Sequence, residues 1–203
     1  MAASGDKGGR PPIADEDDLR TRAIAVLQRD GYRGVTMSQI AAETGVSVRT
    51  LHRYFPTKAD IVWGGIEGSL DALRQGLARA DETLPPMDAI AAVVASVFDQ
   101  DADEVAVGRA RIRLIATEPD LESTRPETYR QWREESIGYI ARRLALPPDD
   151  VVPQAAGAAV QTAIMAGLSW WAVQDDPELS PVEAVARALR GLGDATRPDP
   201  RSA

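Results

Sequence analysis

The 203-residue chain contains no cysteine. Disulfides, thiolate zinc sites and thiol nucleophiles are therefore excluded together. Histidine occurs once, at His52, so no second imidazole exists for a zinc site or for a base elsewhere. No apolar run approaches the ~18 residues that a membrane span requires. The opening MAASGDKGGRPP lacks the apolar core of a secretory signal. Strand signals, internal repeats, a P-loop and a dinucleotide fingerprint are all missing. Gly167-Leu168-Ser169-Trp170-Trp171 is like a nucleophile elbow but ends in tryptophan, with no strand before it. Asp99, Asp101, Asp103 and Glu104 suggest a calcium loop. Glu104 stands where the turn glycine belongs, and Ala110 where the bidentate glutamate belongs. Carboxylates alone do not exclude chemistry, yet the parts of an enzyme are not assembled here. The expectation is a cytoplasmic, non-enzymatic protein without cofactor or metal.

The net charge is −8, which argues against nucleic acid when the chain is taken whole. Its distribution reverses that reading. Residues 1–63 carry nine Lys/Arg against eight Asp/Glu, a net of +1, and residues 64–203 carry fourteen against twenty-three, a net of −9. The acidic part lies outside the stretch that carries the chain's clearest motif.

That stretch runs from Thr36 to Lys58, TMSQIAAETGVSVRTLHRYFPTK. Thr36 with Gln39 three residues on makes a capping box, and Gly45 suits the turn that ends the first short helix. Ser47 is a natural N-cap for a second helix over Val48 to Phe55, stopped by Pro56. Thr57 caps a third, with Asp60 at its N3 position. Val48, Leu51 and Phe55 are expected to face inward. Arg49 and Arg53 form one i, i+4 pair on the outer faces, and Thr50 and Tyr54 another. Between Gly45 and Lys58 there are three Lys/Arg and no acids. A helix of this size fits the major groove, where arginines address guanine edges and hydroxyls reach bases or phosphates. An ordinary αα-corner with a solvated polar face has the same spacing.

Gly31-Tyr32, Thr36, Ile40-Ala41, Gly45-Val46-Ser47, Leu51, Tyr54-Phe55 and Lys58 closely resemble the N-terminal domain of TetR-type transcriptional regulators. The likeness covers roughly residues 15–63. The continuation YFPTKADIVWG looks like an actinobacterial branch that includes the mycofactocin-associated regulator. Arg49 and His52 stand where many members carry a glycine or a second tyrosine, which implies a different operator sequence rather than a different fold. The resemblance implies an all-α protein with a three-helix DNA-binding domain and a C-terminal helical domain for ligand and dimer. It implies DNA contacts from Thr36, Ser47, Arg49, Thr50, His52, Arg53, Tyr54 and Lys58. Arg49 and Thr50 are assigned to bases, and Thr36, Ser47, Tyr54 and Lys58 mostly to phosphates.

The rest of the chain divides accordingly: an arm over 1–14, the DNA-binding domain over 15–63, a helical domain over 64–193 and a tail over 194–203. Lys7 and Arg10 in the arm suit either a minor-groove contact or a solvated leader. A first helix is expected over Asp15 to Asp30, ended by Gly31, and a fourth from after Thr57 to about Asp81. Gly64, Gly65 and Gly68 within that fourth helix mark either close packing or a compliant joint. Further helices are expected near 87–100, 105–117 and 125–146. Asp149 is expected to cap the next, running to about Val173, and Ser180-Pro181 starts the last. Eight of the thirteen residues from Ala155 to Gly167 are Ala or Gly, which lets another helix approach closely. By resemblance, these last two helices form the dimer surface, with Ala159 and Ala163 on it. The expected lining of an effector pocket is Phe98, Arg109, Arg113, Leu114, Tyr129, Trp132, Arg133, Met165, Trp170 and Trp171. For each residue singly, core packing or a surface cation is the competing reading. The expectation is a homodimeric repressor that binds an inverted-repeat operator and releases it on binding a small hydrophobic or acyl-type ligand. An activator, or a regulator without effector, is the alternative.

Overall fold

The computed structural model describes residues 15–65, 67–98, 102–124, 127–176 and 178–195. Lys7 and Arg10, Asp99 and Asp101, and the tail beyond 195 lie outside the described residues.

The described residues form helices and no strands. α1 (Glu16–Asp30) opens on Asp15, whose side chain accepts from Asp17 N, and three acids fill its first turn. There they face the positive end of the helix dipole. Leu19, Ala23, Ile24, Val26 and Leu27 are its buried stripe. Gly31 ends the helix at φ 82°. α2 (Met37–Thr44) and α3 (Val48–Tyr54) are held apart by Gly45 at φ 73°, a conformation that costs glycine nothing. The expected capping boxes at Thr36/Gln39 and Thr57/Asp60 are both present, the latter opening α4 (Lys58–Trp63).

The fourth helix is not continuous. α4 stops at Trp63, Gly64 is extended (φ −69°, ψ 161°), Gly65 has φ 78°, and α5 (Glu67–Ala78) then starts afresh. Arg20 sits against this break, and its Nη1 donates to Asp60 O at 2.8 Å and Ile61 O at 3.3 Å. Asp60 O still accepts from Gly64 N at 3.1 Å, so the guanidinium shares that carbonyl and occupies the space beside Gly64. A Cβ at Gly64 would fall 2.0 Å from that Nη1. The glycines are thus a built break, and stiffening them to alanine is not available to this chain without losing Arg20's seat.

α6 (Pro86–Val97), α7 (Ala102–Thr117), a 3-10 turn (Pro119–Thr124) and α8 (Glu127–Leu144) follow. α9 (Val151–Val173) is capped by Asp150 rather than Asp149, and α10 (Pro181–Ala195) starts at Pro181 with Ser180 Oγ accepting from Val182 N at 3.1 Å. α9 is 23 residues long and carries no charged side chain, so by length and composition alone it is long and apolar enough to cross a membrane, contrary to the expectation from sequence. Here it is the central helix of the C-terminal half, packed on α7, α8 and α10. Two of its small residues are explained by that packing. A Cβ on Gly157 would strike Ile137 Cγ1 of α8 at 2.3 Å, and one on Gly167 would meet Ala184 O of α10 at 3.0 Å.

Two large apolar cores result, with a small third cluster of Trp171, Ala172 and Ala184 beside them. One joins α1–α4 to Ala110, Leu114 and Ile115 of α7 and Leu121 of the 3-10 turn. The other lies among α5, α6, α8, α9 and α10 around Leu73, Ile90, Val94, Ile140 and Val160.

Candidate nucleic-acid interface and effector chamber

Leu51 is the buried anchor of α3, with Phe55 behind it. Val48, expected beside them, is instead 39 % exposed. It shares the outer surface with Ser47, Arg49, His52 and Arg53, all exposed. Among the described residues the Arg49 guanidinium takes no partner, so it is free for a ligand outside the chain. Thr50 is tied to the cap: its N donates to Ser47 Oγ at 3.0 Å, and the two hydroxyls lie 2.8 Å apart. His52 Nδ1 is 3.1 Å from Pro56 O, which fixes its ring along the helix end. Arg53 lies over the Tyr54 ring at 4.8 Å, and Tyr54 packs on the first core. Thr36 caps α2 from an exposed position.

Lys58 does not turn outward in this structure. Its Nζ donates to Val35 O at 2.8 Å and to Tyr32 O, and it sits 4.6 Å above the Tyr32 ring. Burial, with the charges of Asp120, Glu118 and Asp60 behind it, pushes the Tyr32 phenol up, so the ring under the ammonium stays neutral. Lys58 therefore ties α4 to the loop between α1 and α2. Arg22 does the same for the end of α2, donating to Thr44 O at 2.7 Å. Arg33 pairs with Asp120 (3.1 Å) and Glu118 (3.5 Å) beyond α7. The long-range partners of Arg20, Arg22 and Arg33 are not legible in the sequence, because they lie far along the chain; only the i, i+4 pairs of Arg20 with Glu16 and Arg22 with Asp18 are local.

The ten residues expected to line a pocket disperse. Arg109 donates to Gln174 O (3.2 Å), Asp176 O (3.0 Å) and Leu179 O (3.1 Å), and stacks on Trp171 at 4.6 Å. Arg113 donates to Ala172 O at 2.8 Å and pairs with Asp175 at 3.2 Å. Both arginines hold the end of α9 and the α9–α10 loop. Trp132 is buried with its ring 6.2 Å from Phe98, and Leu114 belongs to the first core. Tyr129 stands edge-on to Trp63 at 6.2 Å. Tyr129 and Arg133 border an open cleft of about 480 Å³ with Gln161 and Thr162, and Tyr129 and Met165 border another of about 500 Å³. Phe98 and Trp171 line the more enclosed space, a chamber of about 130 Å³ with Val97, Val105, Ile112 and Leu168. Trp170 is 44 % exposed in the groove between α9 and α10.

Among the described residues the outer face of α9 is exposed, with Arg187 5.9 Å from the Trp170 ring at one end. Val151, Ala155, Ala158, Thr162, Ala166, Trp170 and Val173 recur at helical spacing and are all exposed. Ala159 and Ala163, expected at that surface, are half-buried, and Ala163 packs on the second core.

Residues 19–62 match the model of bacterial regulatory proteins of the tetR family, and residues 84–197 match the MftR C-terminal domain. MftR of Mycobacterium tuberculosis, by name a mycofactocin biosynthesis transcriptional regulator, is 28% identical over 171 residues, covering 84% of this chain and 85% of that one. Among solved structures, Thermus thermophilus FadR, a TetR-family repressor in complex with lauroyl-CoA, superposes with a TM-score of 0.54 at 19% identity, over 92% of this chain and 98% of that one. SmeT, the repressor of the Stenotrophomonas maltophilia efflux pump SmeDEF, gives 0.60 at 18% identity, over 90% of each chain. The chain belongs to the TetR family of bacterial transcriptional regulators, with a helix-turn-helix N-terminal domain and a C-terminal domain of the MftR type.

Proposed function

We propose that the protein is a cytoplasmic homodimeric repressor whose hold on an inverted-repeat operator is weakened by a small hydrophobic or acyl-type effector. The observation that carries the dimer is the outer face of α9: seven uncovered residues without a charge, in a half of the chain with a net of −9. An apolar stripe of this length on an otherwise charged surface marks a partner site. A second copy of the same stripe, turned by a two-fold axis, is self-complementary. The exposed Trp170 supplies an aromatic anchor at one end.

Two α3 helices so related address successive major-groove faces about 34–36 Å apart. Arg49 and Val48 then face base edges, a guanidinium for guanine and an apolar group for the thymine methyl. Thr36, Ser47, Thr50, His52, Arg53 and Tyr54 position the helix on the backbone. The acidic C-terminal half keeps the body of the molecule off DNA. The effector response is supported by the chamber lined by Phe98 and Trp171 beside the α4–α5 break, and by the lauroyl-CoA bound to the FadR relative of this fold.

The test is to sequence DNA fragments selected by the purified protein and to repeat binding with a metabolite panel. An inverted repeat, bound by two chains and released by an apolar compound, is the expected result. A direct repeat or a single half-site bound by one chain would overturn the dimer reading.

A further inference from the structure

Two guanidinium groups converge on Gly65. A Cβ built there would lie 3.6 Å from Arg20 Nε and 3.7 and 3.8 Å from Arg111 Nη2 and Nη1. Arg20 is 5 % exposed, and its Nε is buried without a hydrogen-bond partner. Its remaining nitrogens are engaged, Nη1 by the α4 carbonyls of Asp60 and Ile61 and Nη2 by Glu16 at 2.6 Å. Buried donors in folded proteins are nearly always satisfied, so an unmatched one facing a cleft is open to an acceptor from outside the chain, and a negatively charged one makes the stronger bond.

Gly65 also stands between two hollows. With Gly108 and Arg111 it lines both the apolar chamber of about 130 Å³ and a neighbouring cleft of about 430 Å³ against α1. The cleft adds Asp17, Thr21, Glu104 and Arg20. Its two acids are exposed, whereas Arg20 is buried beside Gly65. The result is a largely apolar chamber bordered by Arg111, whose Gly65 edge, taken as its mouth, adjoins a cleft that Arg20 and Arg111 share.

We propose that this mouth binds the anionic head of an amphipathic effector, a carboxylate or a phosphate, while its apolar part fills the chamber. The proposal rests on the effector-response reading above and names the class of effector. The head accepts from Arg20 Nε and from Arg111. It thereby competes with Asp60 O, Ile61 O and Glu16 for the Arg20 guanidinium, which also lies 4.7 Å from the ring of Phe55, the residue that ends the recognition helix. A bound anion thus acts on the seat of α4 and on the end of α3 through one side chain. A ligand shifts DNA affinity only by its preference between two conformations, and Arg20 held on α4 versus Arg20 drawn to the anion are two such states.

The chamber is close in size to an engineered cavity of about 150 Å³ that accepts benzene, so six-carbon probes are the right length. Hexanoate, hexyl phosphate and neutral hexanol are titrated by calorimetry and tryptophan fluorescence against wild type, Arg20→Lys, Arg111→Gln and Gly108→Leu. Gly108 has open space around a Cβ, so leucine there fills the chamber without a backbone clash. At least one anionic probe is expected to bind wild type about tenfold or more tighter than hexanol, matching one charge-assisted contact. Arg111→Gln and Arg20→Lys are expected to abolish that preference while keeping hexanol binding, and Gly108→Leu to lose all three probes. If Arg20→Lys fails to fold by circular dichroism, Arg111→Gln carries the comparison. Equal binding of hexanol and the anions, no binding at all, or a preference that survives both arginine changes would overturn the proposal. Operator titrations separate it from the broader reading. Anion-selective binding with unchanged operator affinity would leave the mouth and remove the effector response. Operator release caused equally by neutral and anionic probes would do the reverse.

Discussion

Arg49 and Lys58 show how differently two basic residues of one motif behave. Arg49 projects from the first turn of α3 and takes no partner among the described residues. Its replacement by alanine is expected to cost about 1–3 kcal/mol at the operator and to relax preference at one base position. Fluorescence anisotropy on operator and scrambled duplexes checks this, and an equal loss on both would move Arg49 to the backbone-contacting set. Lys58 is bound to Tyr32 O and Val35 O. Lys58→Met therefore leaves two carbonyls of a tight loop without their donor, at roughly 1–3 kcal/mol. The expected signature is a lower melting temperature with an unchanged ratio of operator to random binding. The capping residues around these two were legible from sequence, since Thr36 with Gln39 and Thr57 with Asp60 act within one turn. The destinations of Lys58, Arg20, Arg109 and Arg113 were not, because a long side chain finds carbonyls that only the fold brings near. Spacing placed Arg109 and Arg113 correctly on one face of α7. What the spacing did not show is that this face meets the α9–α10 loop.

At the scale of elements, the ten α-helices of the described residues were nearly all foreseeable from capping signals and apolar period, to within a few residues. The exception, the division of α4 from α5, lies against a residue forty positions earlier: Arg20 Nη1 shares Asp60 O with Gly64 N and fills the space beside Gly64. Glycines in this chain consequently differ in what alanine does to them. Gly64→Ala pushes a methyl into Arg20 and is expected to destabilise. Gly157→Ala drives one against Ile137 Cγ1 and lies 3.2 Å from Ile137 N, so α8 and α9 must part. Overpacking of this kind costs about 1–3 kcal/mol. Gly191, within α10, has nothing near its Cβ position. There alanine adds helix propensity and is expected to stabilise by up to about 1 kcal/mol. Urea unfolding of the three variants checks the order. A Gly157→Ala protein as stable as wild type would mean that the α8–α9 contact is looser than its geometry.

At the scale of the whole molecule, the proposed two-fold contact rests on the exposed face of α9. Its exposed positions repeat every three or four residues from Val151 to Val173, and none carries charge. Ala158 and Ala166 sit on this stripe, while Ala159 and Ala163 lie to its side and partly inside the chain's own core. A large cation at the first pair meets its own copy across a two-fold axis, so each substitution acts twice. Ala158→Arg with Ala166→Arg is therefore expected to convert the dimer to monomer in sedimentation, leaving the melting of the single chain little changed because both positions are exposed. Operator affinity should fall much more than half-site affinity. One α3 reads only half the repeat, and the second half-site is then no longer bound at the high effective concentration that the dimer provides. Ala163→Arg is the control: half-buried and packed against the second core, it should lower stability whether or not the chain dimerises. If the double variant stays dimeric and still holds the operator, the two-fold contact lies on another face, and the stripe on α9 belongs to some other partner.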